Sequence, residues 1–135
     1  MKYKVIKDDL FNQKDCYYVH CVSRDYALGA GIAVEFDKRY DMRKKLILKD
    51  SDDDAILIDN VFNLVTKQKY WQKPSMLTLR RALHELHLKV MMLGIKKLAM
   101  PKIGCGLDRL SWNAVQKEIK EIFNDLNIEI VICYL

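Results

Sequence analysis

Apolar and polar positions recur along this chain with two different periods, and the switches between them lay out its elements. Tyr3 to Ile6 alternates and predicts a short first strand, closed by Lys7-Asp8-Asp9-Leu10-Phe11. Tyr17 to Val22 (YYVHCV) is aromatic and β-branched, the pattern of a buried strand. After Ser23-Arg24-Asp25, Gly29 and Gly31 open a helix through Val34, Phe36 and Tyr40, with Leu46 and Leu48 on a following helical piece. Ala55 to Ile58 and Val61 to Thr66 read as strands of a hairpin turned at Asp59-Asn60. Then the period lengthens. Met76, Leu79, Leu83, Leu86, Val90 and Leu93 form one apolar stripe on a long helix that starts after Pro74-Ser75 and is capped by Gly94. Lys97 to Met100 predicts another strand. Ser111 caps a helix from Trp112 to about Asn124, with Val115, Ile119, Ile122 and Phe123 inward, and Ile128 to Tyr134 is a last buried strand.

The order β-β-α-β-β-α-β-α-β supplies helices for both faces of one sheet, which the hairpin makes mixed. Ligands on such sheets bind outside the carboxyl ends of the strands, so the loops after Val22, Thr66 and Met100 are the places to look. At 135 residues, half of them hydrophobic and only two of them proline, residues 1–135 are expected to fold as a single compact domain. The start, Met1-Lys2-Tyr3-Lys4-Val5, lacks the apolar core of a signal peptide, and no apolar run reaches the ~20 residues of a membrane span. A soluble, intracellular chain without a membrane partner is expected. The formal charge of +5 suits an anionic ligand without demonstrating nucleic-acid binding. Cys16, Cys21, Cys105 and Cys133 have no metal-binding spacing and are expected as free thiols, mostly buried.

Chemistry concentrates in Ala99 to Trp112 (AMPKIGCGLDRLSW), where a strand stops at Pro101 and Gly104 and Gly106 lead towards a helix. Gly29-Ala30-Gly31 is a second corner of this kind. Two helix N-termini behind glycine turns on one sheet edge suit a ligand with two phosphates. Neither corner matches a dinucleotide or P-loop fingerprint. Cys105 has no histidine near it in sequence and is not expected to be a nucleophile. Asp50-Ser51-Asp52-Asp53-Asp54 has Ala55 and Val61 where a calcium loop needs glycine and glutamate, so a solvated loop is expected. His84 and His87 are three apart with no third ligand in sight, and no metal or cofactor is expected. Lys67, just after a buried strand, is a candidate nucleophile, and Asp108 a candidate base or ribose ligand. On spacing alone, a surface lysine and an aspartate paired with Arg109 weigh more.

The strings His20-Cys21-Val22-Ser23, Gly29-Ala30-Gly31-Ile32-Ala33, Val65-Thr66-Lys67 and Met100-Pro101-Lys102-Ile103-Gly104-Cys105-Gly106-Leu107-Asp108-Arg109-Leu110 resemble a macrodomain. The branch resembled is that of the terminal ADP-ribose protein glycohydrolase, which includes the macrodomains of DNA ADP-ribosylation antitoxins. The resemblance runs from Asp9 to Leu135. It implies a three-layer α/β/α sandwich with a mixed sheet of about six strands. It implies Lys67 as the nucleophile that attacks the anomeric carbon of the distal ribose, through a lysyl–ADP-ribose intermediate, and Asp108 as the base. Lys102, Ile103, Gly104, Cys105, Gly106 and Leu107 would wrap the pyrophosphate and distal ribose. Ser23 with Gly29, Ala30, Gly31, Ile32 and Ala33 would line the other side. Asp9, Leu10 and Phe11 would lie at the adenine, and Leu135 would close that pocket. Asp8 stands where the family usually has glycine, and Asp41 to Lys49 shares little with it. The implied activity is release of ADP-ribose from ester-linked Glu or Asp of proteins, and from O-acetyl-ADP-ribose. Two alternatives are an ADP-ribose reader with little turnover and a hydrolase of nucleic-acid-linked ADP-ribose. The implied partners are ADP-ribose and ADP-ribosylated protein, and the chain is expected to act as a monomer.

Overall fold

A single mixed sheet forms the centre of the computed structural model, which describes residues 1–106 and 109–135. In chain order the elements are β1 (Lys2–Lys7), a 3-10 turn (Leu10–Asn12), β2 (Tyr17–Ser23), α1 (Ile32–Tyr40), α2 (Met42–Lys49), β3 (Ala55–Ile58), β4 (Val61–Lys67), α3 (Met76–Leu93), β5 (Lys97–Met100), α4 (Trp112–Phe123) and β6 (Glu129–Tyr134). Across the sheet the strands lie in the order β1-β6-β5-β2-β4-β3. Every pairing is parallel except that of β3 with β4, the expected hairpin.

Burial on both faces explains why the strands read as nearly continuous apolar runs. In β4, Phe62 and Leu64 join Leu79, Leu83 and Leu86 of α3 in one core, while Val61 and Val65 join Phe36, Met42 and Leu46 of α1 and α2 in the other. Val115, Ile119 and Phe123 of α4 complete the first core. Helices therefore cover both faces, which gives the three-layer sandwich. The helical segment after the glycines is split at Asp41, which is left-handed (φ 54°), and Asp37 Oδ1 accepts from Arg43 N at 2.9 Å across the break.

Both ends of α3 are set by local chemistry. Ser75 and Thr78 form a reciprocal capping box. At the other end Gly94 is left-handed (φ 65°), and Ile95 N donates to Val90 O at 3.1 Å. This turn sends Ile95 into the core in place of Leu93, which is 56 % exposed, so the apolar stripe ends one turn earlier than its spacing predicts. No helix among the described residues is long and apolar enough to cross a membrane.

The pairing of β2 with β5 is short, limited to Tyr17 with Leu98 and Tyr18 with Ala99. The ladder stops because β5 runs into Pro101, which has no N–H to donate. Beyond this point β2 continues to Ser23 beside β4 alone, and a crevice opens between β2 and β5. Connections leave these two strands in opposite directions across the sheet, the switch point at which α/β folds bind ligands.

His20 lies beneath this crevice, fully buried and stacked on Phe36 with ring centroids 4.1 Å apart. Its Nε2–H donates to Asn63 Oδ1 at 2.6 Å, while Asn63 Nδ2 donates to Ile56 O at 3.1 Å. Burial pushes the imidazole down to about 4 from the usual 6.5, against the opposing effect of Asn63. The folded form therefore stays neutral where the unfolded chain takes up a proton, so stability is full above pH ~6.5 and falls as pH drops towards ~4. Urea denaturation is expected to show roughly 2 kcal/mol less stability at pH 5 than at pH 7.5 from this group, and His20→Gln is expected to remove that component.

Candidate active site

Parallel pairing puts the carboxyl ends of β1, β6, β5, β2 and β4 on one edge of the sheet. The edge spans four inter-strand steps, about 19 Å. All the described candidates from the sequence lie along it. Asp9, Leu10 and Phe11 follow β1, and Leu135 follows β6. Lys102, Ile103, Gly104, Cys105 and Gly106 follow β5, and Gly29, Ala30, Gly31, Ile32 and Ala33 follow β2. Ser23 ends β2 and Lys67 ends β4. Leu107 and Asp108 lie outside the described residues.

At the β1 end, Asp8 N donates to Tyr134 O at 2.9 Å and ties the first loop to the end of β6. Asp8 Oδ1 accepts from Asp9 N and from Asn12 Nδ2, each at 2.9 Å, so the residue that departs from the family pattern braces the 3-10 turn from outside. Asp9 caps the same turn through Phe11 N at 2.9 Å. Leu10 is buried, and the Phe11 ring packs 5.0 Å from Phe36 with the Arg39 guanidinium 3.9 Å above it. Leu10 thus serves the core, leaving Asp9 as the exposed group of this segment. Leu135 is 91 % exposed. The Lys102 ammonium sits 4.5 Å from the Tyr134 ring and 5.8 Å from that of Trp112, held by two aromatic faces.

The loop after β5 is pinned from within. Ile103 is buried, Leu110 N donates to Gly104 O at 2.7 Å, and Cys105 N donates to Lys102 O at 3.2 Å. Gly104 is left-handed (φ 73°), and a Cβ there would stand 2.9 Å from Leu110 Cδ1. Gly106 has neither constraint: its φ is ordinary, and among the described residues nothing lies within 4 Å of its missing Cβ. Its glycine character leaves the backbone open to close approach. Burial pushes the Cys105 thiol up, only partly offset by Lys102, and Sγ donates to Ile103 O, so this cysteine is a packed thiol.

The corner after β2 is strained. Gly31 (φ 63°, ψ −149°) occupies a region essentially closed to other residues and leads into α1 without a side-chain cap. Its first-turn amides therefore have no capping side chain. Tyr26 (φ 52°) and Leu28 (φ 45°) are left-handed without being glycine, at about 1–3 kcal/mol each, and are held by burial in the second core.

Between β2 and β4 the backbone ladder continues past the strands, with Arg24 N donating to Lys67 O at 2.9 Å and Asp25 N to Gln68 O at 3.2 Å. Ser23 is buried and donates to Asp25 Oδ1. Asp25 also accepts from Ala27 N at 3.3 Å and from Tyr70 N at 3.0 Å, bridging the loops after β2 and β4. Burial opposes ionisation of Asp25, but Ser23, the two amides and the Lys69 charge outweigh it and hold the carboxyl below its usual range. The Arg24 guanidinium donates to Ser51 O at 3.1 Å, Asp53 O at 2.9 Å and Asp54 Oδ1 at 3.2 Å. Lys89 holds Asp53 at 2.8 Å, and Glu85 Oε2 accepts from Asp54 N at 2.7 Å. The acidic turn is therefore anchored at its backbone while Asp50, Asp52 and Asp53 stay exposed to solvent, in line with its reading as a solvated loop. Arg24 and Asp25 are the residues sequence reasoning missed. Asp25 carried a signal, a carboxylate two residues from Ser23 and Ala27, as an Asx-turn requires. Arg24 carried none, because its partners lie 27 to 30 residues away.

Lys67, half-buried, also faces a cavity of about 740 Å³ beyond β4, bounded by Thr66, Gln68, Trp71, Thr78 and Arg81. None of the described glycine-corner residues lines this cavity. Lys67 thus stands between the crevice side of the edge and a separate space towards α3.

No family model matches the chain. It is 38 % identical over 134 residues to ADP-ribose glycohydrolase OARD1 of Bos taurus, covering 94 % of this chain and 88 % of that protein. Its fold is similar to that of the macrodomain of Mycobacterium tuberculosis DarG, with a TM-score of 0.87 and 21 % identity over 98 % of this chain and 97 % of that one. Thermosipho africanus DarTG, solved in complex with ADP-ribose, matches with a TM-score of 0.81 and 18 % identity over 98 % of this chain and 41 % of that one.

The two glycines of the loop after β5 make separable predictions. Gly104→Ala is expected to cost roughly 1–2 kcal/mol from its left-handed backbone and to lower Tm by a few degrees. Gly106→Ala is expected to melt as the unmodified chain does.

Proposed function

The chain belongs to the macrodomain family, in its ADP-ribose glycohydrolase branch, and from that premise we propose that it releases ADP-ribose from ester-linked acidic side chains with Lys67 as nucleophile and Asp108 as base. The observation that carries this reading is the position of Lys67: the last residue of β4, in register with Ser23, on the edge that also carries both glycine corners. ADP-ribose lies along that edge with its adenine towards Asp9 and its distal ribose towards β2 and β4. The open backbone at Gly29 and Gly106 and the first turn of α1 take the pyrophosphate, where backbone amides meet phosphate without loss of a side-chain partner. Lys67 Nζ, in its neutral form, attacks the anomeric carbon. The carbon–oxygen bond to the acyl group breaks, its electron pair leaves with the carboxylate, and a carbon–nitrogen bond holds the sugar on the enzyme. Asp108 takes the proton that the nitrogen loses on bonding, returns it to that nitrogen as the carbon–nitrogen bond breaks, and takes a proton from the water that displaces Lys67; releasing that proton to solvent restores the free enzyme beside ADP-ribose. The same ester chemistry extends to O-acetyl-ADP-ribose.

The deciding assay is release of ADP-ribose from a glutamate-linked ADP-ribosyl protein. Lys67→Ala is expected to abolish release and to keep ADP-ribose binding, read by calorimetry. Asp108→Ala is expected to lose about 10²–10⁴-fold in rate. Borohydride is expected to trap a lysyl adduct in the unmodified chain, more of it in Asp108→Ala, and none in Lys67→Ala. Normal turnover by Lys67→Ala would rule out the lysine mechanism.

A further inference from the structure

The ladder between β2 and β4 slips once. Val22 is in register with Val65, but the next residue, Ser23, is in register with Lys67, so Thr66 is one extra residue on β4, a bulge. Alternation along the strands shows its effect. Phe62 and Leu64 face the core under α3 and α4, with Val19 and Cys21 of β2, while Val61 and Val65 face the core under α1 and α2, with Tyr18 and Val22. A regular ladder would set Ser23 beside Thr66 and leave Lys67 on the Val65 face. The extra residue instead brings Lys67 into step with Ser23, and Lys67 accordingly faces the cavity bounded by Thr78 and Arg81 of α3. This register has a local cost: Thr66 is 2 % exposed, and its Oγ1 has no hydrogen-bond partner. A costly register at the end of a strand needs a lock.

Arg24 is bonded on both sides of the bulge. After it, Arg24 N donates to Lys67 O at 2.9 Å. Before it, Val65 N donates to Asp54 O at 2.8 Å, and the Arg24 guanidinium grips the segment that ends in Asp54. That grip uses four acceptors: Ser51 O at 3.1 Å, Asp52 O at 3.3 Å, Asp53 O at 2.9 Å and Asp54 Oδ1 at 3.2 Å. Glu85 of α3 accepts from Asp54 N at 2.7 Å, so the segment is itself moored. We propose that Arg24 is a positioning residue for Lys67: it locks the bulge at Thr66 in the register that turns Lys67 to the Ser23 face of the sheet. The proposal rests on the reading of Lys67 as nucleophile and names what aims it. Moving the bulge along β4 would part Lys67 O from Arg24 N, and Arg24 cannot follow without releasing residues 51–54. A planar guanidinium spreads its donors over four acceptors, which the single nitrogen of a lysine cannot do. Arg24 acts through the backbone of Lys67, where a displacement of about 1 Å is enough to cost on the order of 10²-fold in rate.

The test compares Arg24→Gln and Arg24→Lys with the unmodified full chain, in release of ADP-ribose from a glutamate-linked ADP-ribosyl protein. Arg24→Gln is expected to lower kcat at least about tenfold and to keep ADP-ribose affinity, read by calorimetry, within about twofold. Arg24→Lys, which keeps the charge and loses the fork, is expected to recover only part of that rate. Unchanged kcat in Arg24→Gln, an equal loss of ADP-ribose affinity, or full rate in Arg24→Lys each overturns the proposal. A second measurement does not depend on turnover: amide hydrogen exchange is followed at Val65, before the bulge, at Asp25, whose amide bonds Gln68 O after it, and at Leu98 of β5 as a reference. Arg24→Gln is expected to speed exchange at Val65 and Asp25 about tenfold and to leave Leu98 as it was. Unchanged exchange at Val65 and Asp25, or equal acceleration at Leu98, overturns the lock. If the unmodified chain releases no ADP-ribose while Val65 and Asp25 alone exchange faster in Arg24→Gln, the hydrolase reading fails and the lock on the bulge stands.

Discussion

Parallel pairing of β2 with β4 is the constraint on which the rest of the edge depends. It aligns Ser23 with Lys67, and it carries the ladder onward through Arg24 and Asp25 into two loops that would otherwise be independent. Asp25 then joins the two loops through Tyr70, and Arg24 brings in the loop before β3. A side chain at the end of a strand gains its precision from neighbours that cannot move separately, and here backbone bonds fix those neighbours. Long side chains at the edge, such as Lys102 on its aromatic platform, are secondary to that frame.

The second dependence is the early end of β5. A proline stops the ladder after two paired residues of β2, and the two glycine corners follow the strands on either side of the gap this leaves. Its floor is paid for by polar burial: His20 and Asn63 satisfy one another beneath it, while His20 Nδ1 has no partner. Strained backbone at Tyr26, Leu28 and Gly31 clusters on one wall. Local backbone cost beside a gap between strands is how functional sites commonly look.

The strands and the ends of α3 were legible because their signals are local: period two in Val61 to Thr66, a serine cap, a left-handed glycine. Lys67 and the glycine corners were legible as positions after strands, and the family resemblance supplied their meaning. The ion pairs were not. Arg24 reads as an ordinary loop arginine until the fold brings Ser51 and Asp54 to it. Leu93 misled because a helical period does not announce where a Schellman turn will divert the chain. Leu10 lies in a segment that the family resemblance places at a ligand, and its own side chain packs in the core.

The two loops that flank the crevice are anchored in different layers. Ile103 holds the loop after β5 in the core beneath α3 and α4, whereas Leu28 and Phe36 hold the corner after β2 in the core beneath α1 and α2. The central sheet separates the two. Substitutions that repack one layer therefore reach one flank of the crevice and leave the other nearly untouched, since effects at sites without shared partners add. Descendants of this chain can drift in one flank at a time, trying new shapes against an unchanged opposite wall, without having to alter both at once.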